Sequence, residues 1–158
     1  MQQEPKQPLK LMNLKIIWFA LLATHFLYAL RLFMRPVQEY FPAERVNPQL
    51  IPILSSLAIV VMIVAIFIPR FRFNKEKKKF LEVVGPDELR SIKLEILISV
   101  FANPFILRHS LFQTVALFGF FLGMTQNNIN LFYPFALVSI VAYVINFPTE
   151  EKIRAAFI

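Results

Sequence analysis

The chain has 158 residues, of which 57% are hydrophobic and only 17% charged, with a mean hydropathy of +0.57 and a formal net charge of +7. A water-soluble domain covers its core with charge at about a quarter of its residues. Here the charges cluster and long uncharged tracts separate them, the pattern expected when lipid is the solvent. The absence of Cys excludes disulfides and thiolate metal sites, and two histidines, His25 and His109, argue against a histidine-rich metal centre. The basic excess sits at the edges of apolar tracts, which suits a membrane surface and excludes nucleic acid as the expected partner.

Four apolar tracts follow one another, at about 14–33, 50–68, 107–125 and 129–147. At roughly 1.5 Å rise per residue each matches a hydrocarbon core of about 30 Å. They do not alternate as barrel strands would, and a helix satisfies its own backbone as lipid demands. The first is read as a retained helix, since it outruns a signal peptide and no small-x-small site ends it. The expected fold is therefore an all-α membrane protein, one membrane domain over 1–158 with four transmembrane helices. All 17 Lys and Arg except Arg31, Arg35 and Arg45 fall in 1–15, 69–109 and 148–158. The positive-inside bias then puts both termini and the basic loop 69–106 in the cytoplasm, in a multi-pass protein of the cell inner (plasma) membrane.

Within that loop a basic run ends in Lys77, Lys78 and Lys79. Residues 86–100 read as an amphipathic cytoplasmic-side helix, with Gly85-Pro86 and Asp87-Glu88 at its start and Leu89, Ile92, Ile96 and Val100 on one face. It either lies on the inner leaflet or docks a partner. Asn103-Pro104 is expected to break it before the third span. A single helix through this break would bring Arg108 toward mid-membrane, at a cost, and is disfavoured.

At an offset of 90 residues, Ile16–Leu30 lines up with Ile106–Phe120, including Ala20 with Ser110, Thr24 with Thr114, and Tyr28 with Phe118. The second and fourth spans end in Ile68-Pro69 and Phe147-Pro148. The chain is thus read as two repeated helical hairpins, both entering from the same side. Ala116, Gly119 and Gly123 give the third span a small-residue face for close packing, against another helix of the chain or a second subunit.

The stretch Leu111-Phe112-Gln113-Thr114-Val115-Ala116-Leu117-Phe118-Gly119-Phe120 resembles the outer helix of rotary ATPase c-ring proteolipids. It is also similar to small bacterial four-helix membrane proteins with a Pro-terminated last helix. The resemblance implies a double-hairpin proteolipid-like fold. The family's ion-binding carboxylate falls on Gln113, and the first span has none of the inner helix's glycines, so the resemblance implies an inherited fold without ion translocation.

No span carries Asp or Glu in its centre, which argues against a proton- or cation-coupled pump. The candidate intramembrane polar site is Thr24, His25, Tyr28, Gln113 and Thr114, with His25 open to a structural hydrogen bond, ligand or lipid binding, or proton relay. Arg31, Arg35, Lys77, Lys78 and Lys79 are candidate lipid-headgroup contacts, the lysines facing an anionic inner leaflet. Trp18 and the tyrosines near tract ends read as interfacial anchors, and Asn146 as a helix terminator. No nucleotide loop, nucleophile elbow, metal-ligand spacing or pair of catalytic acids is present, so no catalytic residue, cofactor or metal is assigned. The expected function is a non-enzymatic structural or assembly subunit, self-associating or joined to another membrane protein. The alternative is a minimal transporter, channel or lipid-binding protein.

Overall fold

The computed structural model describes residues 10–34, 48–84, 92–126 and 128–157. The readings placed on Arg35, Arg45, residues 85–89 and Asn127 lie outside them. Apart from short turns the described residues are helical, with no strand among them. Helix α1 spans Leu11–Phe33, α2 Leu50–Val84, α3 Leu94–Thr125, α4 Phe132–Ile145 and α5 Glu150–Phe157, with a 3-10 turn at Ile129–Leu131 leading into α4. Helices α1, α2 and α3 are each long and apolar enough to cross a membrane. The segment Ile129–Ile145 joins them if it is counted together with α5, from which it is bent by 75°.

Two helices outrun the predicted tracts. Helix α2 has 35 residues and runs through Pro69 to Val84, so the first half of the expected loop is helical. Helix α3 has 32 residues and continues through Pro104, so Asn103-Pro104 does not end a separate amphipathic helix. Each proline removes one backbone donor, facing the carbonyls of Ala65 and Val100 respectively, at a cost near 3 kcal/mol in a lone helix. Both prolines are buried where α2 packs along α3, and such packing holds a helix across the missing bond. The objection based on Arg108 also falls away. A 32-residue helix is about 48 Å long, so Arg108 can stand near one edge of a ~30 Å core with the N-terminal turns outside it.

Helix α3 is the hub, packing against α1, α2, α4 and α5. The 18-residue apolar window of α3 is 39% buried, against 11% in α1 and in α2. Helix α2 approaches through small residues, Ala58, Ala65 and Pro69 being its buried positions. Directions alternate. Helix α1 runs parallel to α3, with Tyr28 stacked on Phe120 and Leu32 against Gly123. Helix α4 runs antiparallel to both, with Ser139 beside Phe112 and Tyr143 beside His109. Helices α1 and α2 make little direct contact, so packing lends no support to a repeated hairpin. The parallel α1 and α3, however, meet close to the 90-residue register of the repeat.

The distribution of polarity is inverted relative to a soluble protein. Phe19, Phe26, Ile59, Ile63, Phe67, Leu137 and Val144 are exposed on the outer faces, while His25, His109 and Ser139 are buried. Water would penalise this arrangement and lipid rewards it.

After Pro148 the chain turns into α5, a helix beyond the four predicted tracts. Thr149 Oγ1 accepts from the Lys152 backbone N–H, and Glu150 and Glu151 occupy the first turn. Ile153 and Phe157 are buried, with Phe157 set edge-on to Phe73 and Phe80 of α2. An end-cluster of α2, α3 and α5 results.

Candidate functional site: the interhelical polar network and the basic cavity

Three of the five predicted intramembrane polar residues come together between α1, α3 and α4. The Gln113 Nε2 donates to Thr24 Oγ1, and Thr24 Oγ1 donates to the Leu21 carbonyl at 2.6 Å. His25 Nε2 lies 2.8 Å from Ser139 Oγ, and Ser139 donates to the Phe112 carbonyl at 2.8 Å. Both bonds form together when the imidazole proton sits on Nε2, since the serine hydroxyl has one proton to give. Tyr143 Oη donates to the His109 carbonyl at 2.8 Å and stands 3.5 Å from Gln113 Oε1.

The other two do not join. Thr114 donates to the Ser110 carbonyl of its own helix at 3.1 Å, and Tyr28 contributes its ring to Phe120 at 4.8 Å between centroids. In their place α4 supplies Ser139 and Tyr143, and α3 supplies His109. The signal for them was present: Ser139 and Tyr143 are spaced i, i+4 and so share a face of the last span. His109 Nδ1 donates to the Phe105 carbonyl at 2.8 Å, and Nε2 is buried without a partner among the rings of Phe105, Phe112 and Tyr143.

Trp18 is not an interfacial anchor. It is buried, and its Nε1 donates to the Tyr143 carbonyl at 2.9 Å. That bond is one of a set that satisfies every carbonyl in the last turn of α4. The Ala142 carbonyl accepts from the Asn146 N–H and from Asn146 Nδ2, Val144 from the Phe147 N–H, and Ile145 from Lys152 Nζ at 2.9 Å. Helix ends leave such acceptors unpaired, and here side chains and the following turn answer them.

The small-residue face is occupied within the chain. A Cβ at Gly119 would lie 2.5 Å from Phe135 Cβ, and one at Gly123 would lie 3.3 Å from Leu32 Cδ1. Ala116 is fully buried. Of the headgroup candidates, Arg31 is exposed in the last turn of α1, and Lys78 and Lys79 are exposed on α2. Lys77 is turned inward, donating to the Ala156 carbonyl of α5 at 2.9 Å.

A cavity of about 230 Å³ opens where α2, α3, α4 and α5 converge. Arg70, Arg108 and Lys152 line it with Asn146, among the rings of Phe73, Phe101, Phe105 and Phe147, and no carboxylate of the described residues contributes. Arg108 Nη1 donates to Asn146 Oδ1 at 3.1 Å, while its Nε is buried without a partner. The sequence reading placed Arg108 at a span entrance and assigned it no site. Among the described residues no group of three or more metal-ligating side chains is assembled.

Compared with protein-family models, curated proteins and solved structures, the chain matches none.

Proposed function

We propose that the chain is a non-enzymatic, multi-pass protein of the cell inner membrane that serves as a small structural or assembly subunit. Four spans, with both termini and the basic end of the bundle toward the cytoplasm, belong to this reading. The lysine- and arginine-rich segments and the alternating helix directions support it. One observation carries the functional part: Thr24, His25, Gln113, Ser139 and Tyr143 spend their hydrogen bonds on one another and on backbone carbonyls. A transport site keeps polar groups turned toward a water-filled path. These groups act as interhelical glue.

Assembly with a second subunit needs a surface other than the Gly119–Gly123 face, which α1 and α4 already cover. The wide apolar groove of about 610 Å³ between α2 and α4, with Ile59, Ile63, Phe135 and Val138 in its lining, has the shape for a further apolar helix. Extraction in mild detergent followed by native mass spectrometry tests the reading. A stable oligomer or a co-purifying membrane partner is expected, and it should be lost in I63W/V138W. A lone monomer in every mild detergent would overturn it.

A second reading, lipid binding, is favoured by the basic cavity beside Arg108, where the described residues supply three cations and no carboxylate.

A further inference from the structure

We infer that the cavity at the junction of α2, α3, α4 and α5 is a binding site for a phosphate-bearing anion, supplied in the membrane by the headgroup of an anionic phospholipid. The inference deepens the lipid-binding reading and rests on the chain spanning a bilayer with this end at the inner leaflet.

The charge balance is the starting point. Arg70, Arg108 and Lys152 reach the cavity from three different helices, and among the described residues its lining contains no Asp or Glu. The one ion pair among the described residues, Arg154 with Glu150 at 2.9 Å, does not touch it. Three cations held together at the edge of an apolar bundle repel one another, and an anion between them removes that cost.

The donor accounting points the same way. Lys152 Nζ has two carbonyls, Ile145 at 2.9 Å and Phe147 at 3.4 Å, which leaves one of its three protons. Arg108 gives one N–H to Asn146, yet its Nε–H is buried and unanswered. An unmet guanidinium donor in such a place costs several times what a surface donor does. Arg70 has no hydrogen bond or ion pair with any described residue. Two guanidiniums and an ammonium with donors to spare match the non-bridging oxygens of a phosphate group, which guanidinium can take bidentately.

The surroundings select a lipid as the source. Phe73, Phe101 and Phe147 bound the cavity, so a ligand entering it has apolar surface beside its charged end. The residues that build the pocket also explain two features of the fold. Pro148 and the 75° turn into α5 bring Lys152 back to the end of α4, and the continuation of α2 past Pro69 brings Arg70 alongside Arg108.

The test uses the full chain purified in a neutral detergent, with thermal unfolding followed by the fluorescence of Trp18, the chain's one tryptophan. Phosphatidylglycerol, phosphatidylcholine and inorganic phosphate are titrated in separate arms. Stabilisation by phosphatidylglycerol but not phosphatidylcholine is expected, with the apparent Kd weakened about tenfold or more in R70Q/K152Q. Both substituted side chains are exposed, and because Lys152 also answers the Ile145 carbonyl, binding is read as the shift from each variant's own anion-free melting temperature. K78Q/K79Q, outside the cavity, should bind as the parent does. If inorganic phosphate alone stabilises the parent and not R70Q/K152Q, the site stands and its ligand is a soluble anion. If R70Q/K152Q binds phosphatidylglycerol and phosphate as tightly as the parent, or if no anion binds, the inference fails. A chain that stays in solution without detergent would instead defeat the membrane reading beneath it.

Discussion

His25 Nε2 stands 2.8 Å from Ser139 Oγ, a contact that joins α1 to α4 across 114 positions of sequence. Because Ser139 passes its own proton to the Phe112 carbonyl of α3, one hydroxyl links three helices. Polar contacts of this kind between membrane helices average about 0.6 kcal/mol and reach about 1.7. A double-mutant cycle with H25F and S139A should give a coupling in that range, read from unfolding in mixed micelles. T114A serves as the control: Thr114 bonds only its own helix, so its effect should stay within about 0.5 kcal/mol. A coupling near zero for His25 and Ser139 would remove the contact from the list of what holds the bundle.

The two glycines of α3 should differ in what they tolerate. A methyl at Gly119 meets Phe135 Cβ at 2.5 Å and the Phe132 carbonyl at 3.1 Å, neither of which yields without moving α4. A methyl at Gly123 is crowded by the flexible tip of Leu32, at 3.3 Å, and otherwise makes an ordinary contact with the Asn128 carbonyl at 3.6 Å. G119A should therefore destabilise by about 1–3 kcal/mol, the usual cost of overpacking, and G123A by clearly less. Equal effects in a denaturant titration would show that α3 and α4 are farther apart than described.

W18F removes the donor that answers the Tyr143 carbonyl in the last turn of α4. An orphaned buried acceptor costs about 1–3 kcal/mol, so the variant should melt earlier even though it keeps an aromatic ring. Its partner test is spectroscopic. The single tryptophan, buried in the native bundle, should emit at short wavelength and shift to the red on unfolding.

The chain has no cysteine, which makes its topology easy to map. K78C should react with a membrane-impermeant maleimide only after cells are opened, whereas N130C should react in intact cells. Reaction of K78C from outside would reverse the orientation and place the basic cavity in the outer leaflet.

The tracts at 14–33 and 107–125 were legible because apolar length is a strong signal, and each lies wholly inside α1 or α3. The extensions of α2 and α3 were not, because Pro69 and Pro104 stop helices in isolation and only the packing between the two helices overrides them. Helix α5 is amphipathic, with Ile153 and Phe157 four apart on one face, but eight residues are too few to stand as a helix until that face has a partner. At the site, Thr24, His25 and Gln113 were visible as polar residues in oily surroundings. Ser139 and Tyr143 were equally polar but were passed over, since no repeat or family pattern singled them out. Arg108 was read by its depth alone. Its significance lies in the company of Arg70 and Lys152, from segments brought together only by the alternating directions of the helices.

The central place of α3 bears on how the protein is made. Ribosomes deliver α1 and α2 first, and these two have almost nothing to hold on to in each other. Trp18 must wait for an acceptor 125 positions downstream and His25 for one 114 downstream. At ~5–20 residues per second that is a delay of roughly 6–25 s. In a chain that spans a bilayer, as proposed, an indole and an imidazole stay unpaired in an oily segment through that interval. Biogenesis of this chain should accordingly depend on a membrane chaperone more than its small size suggests.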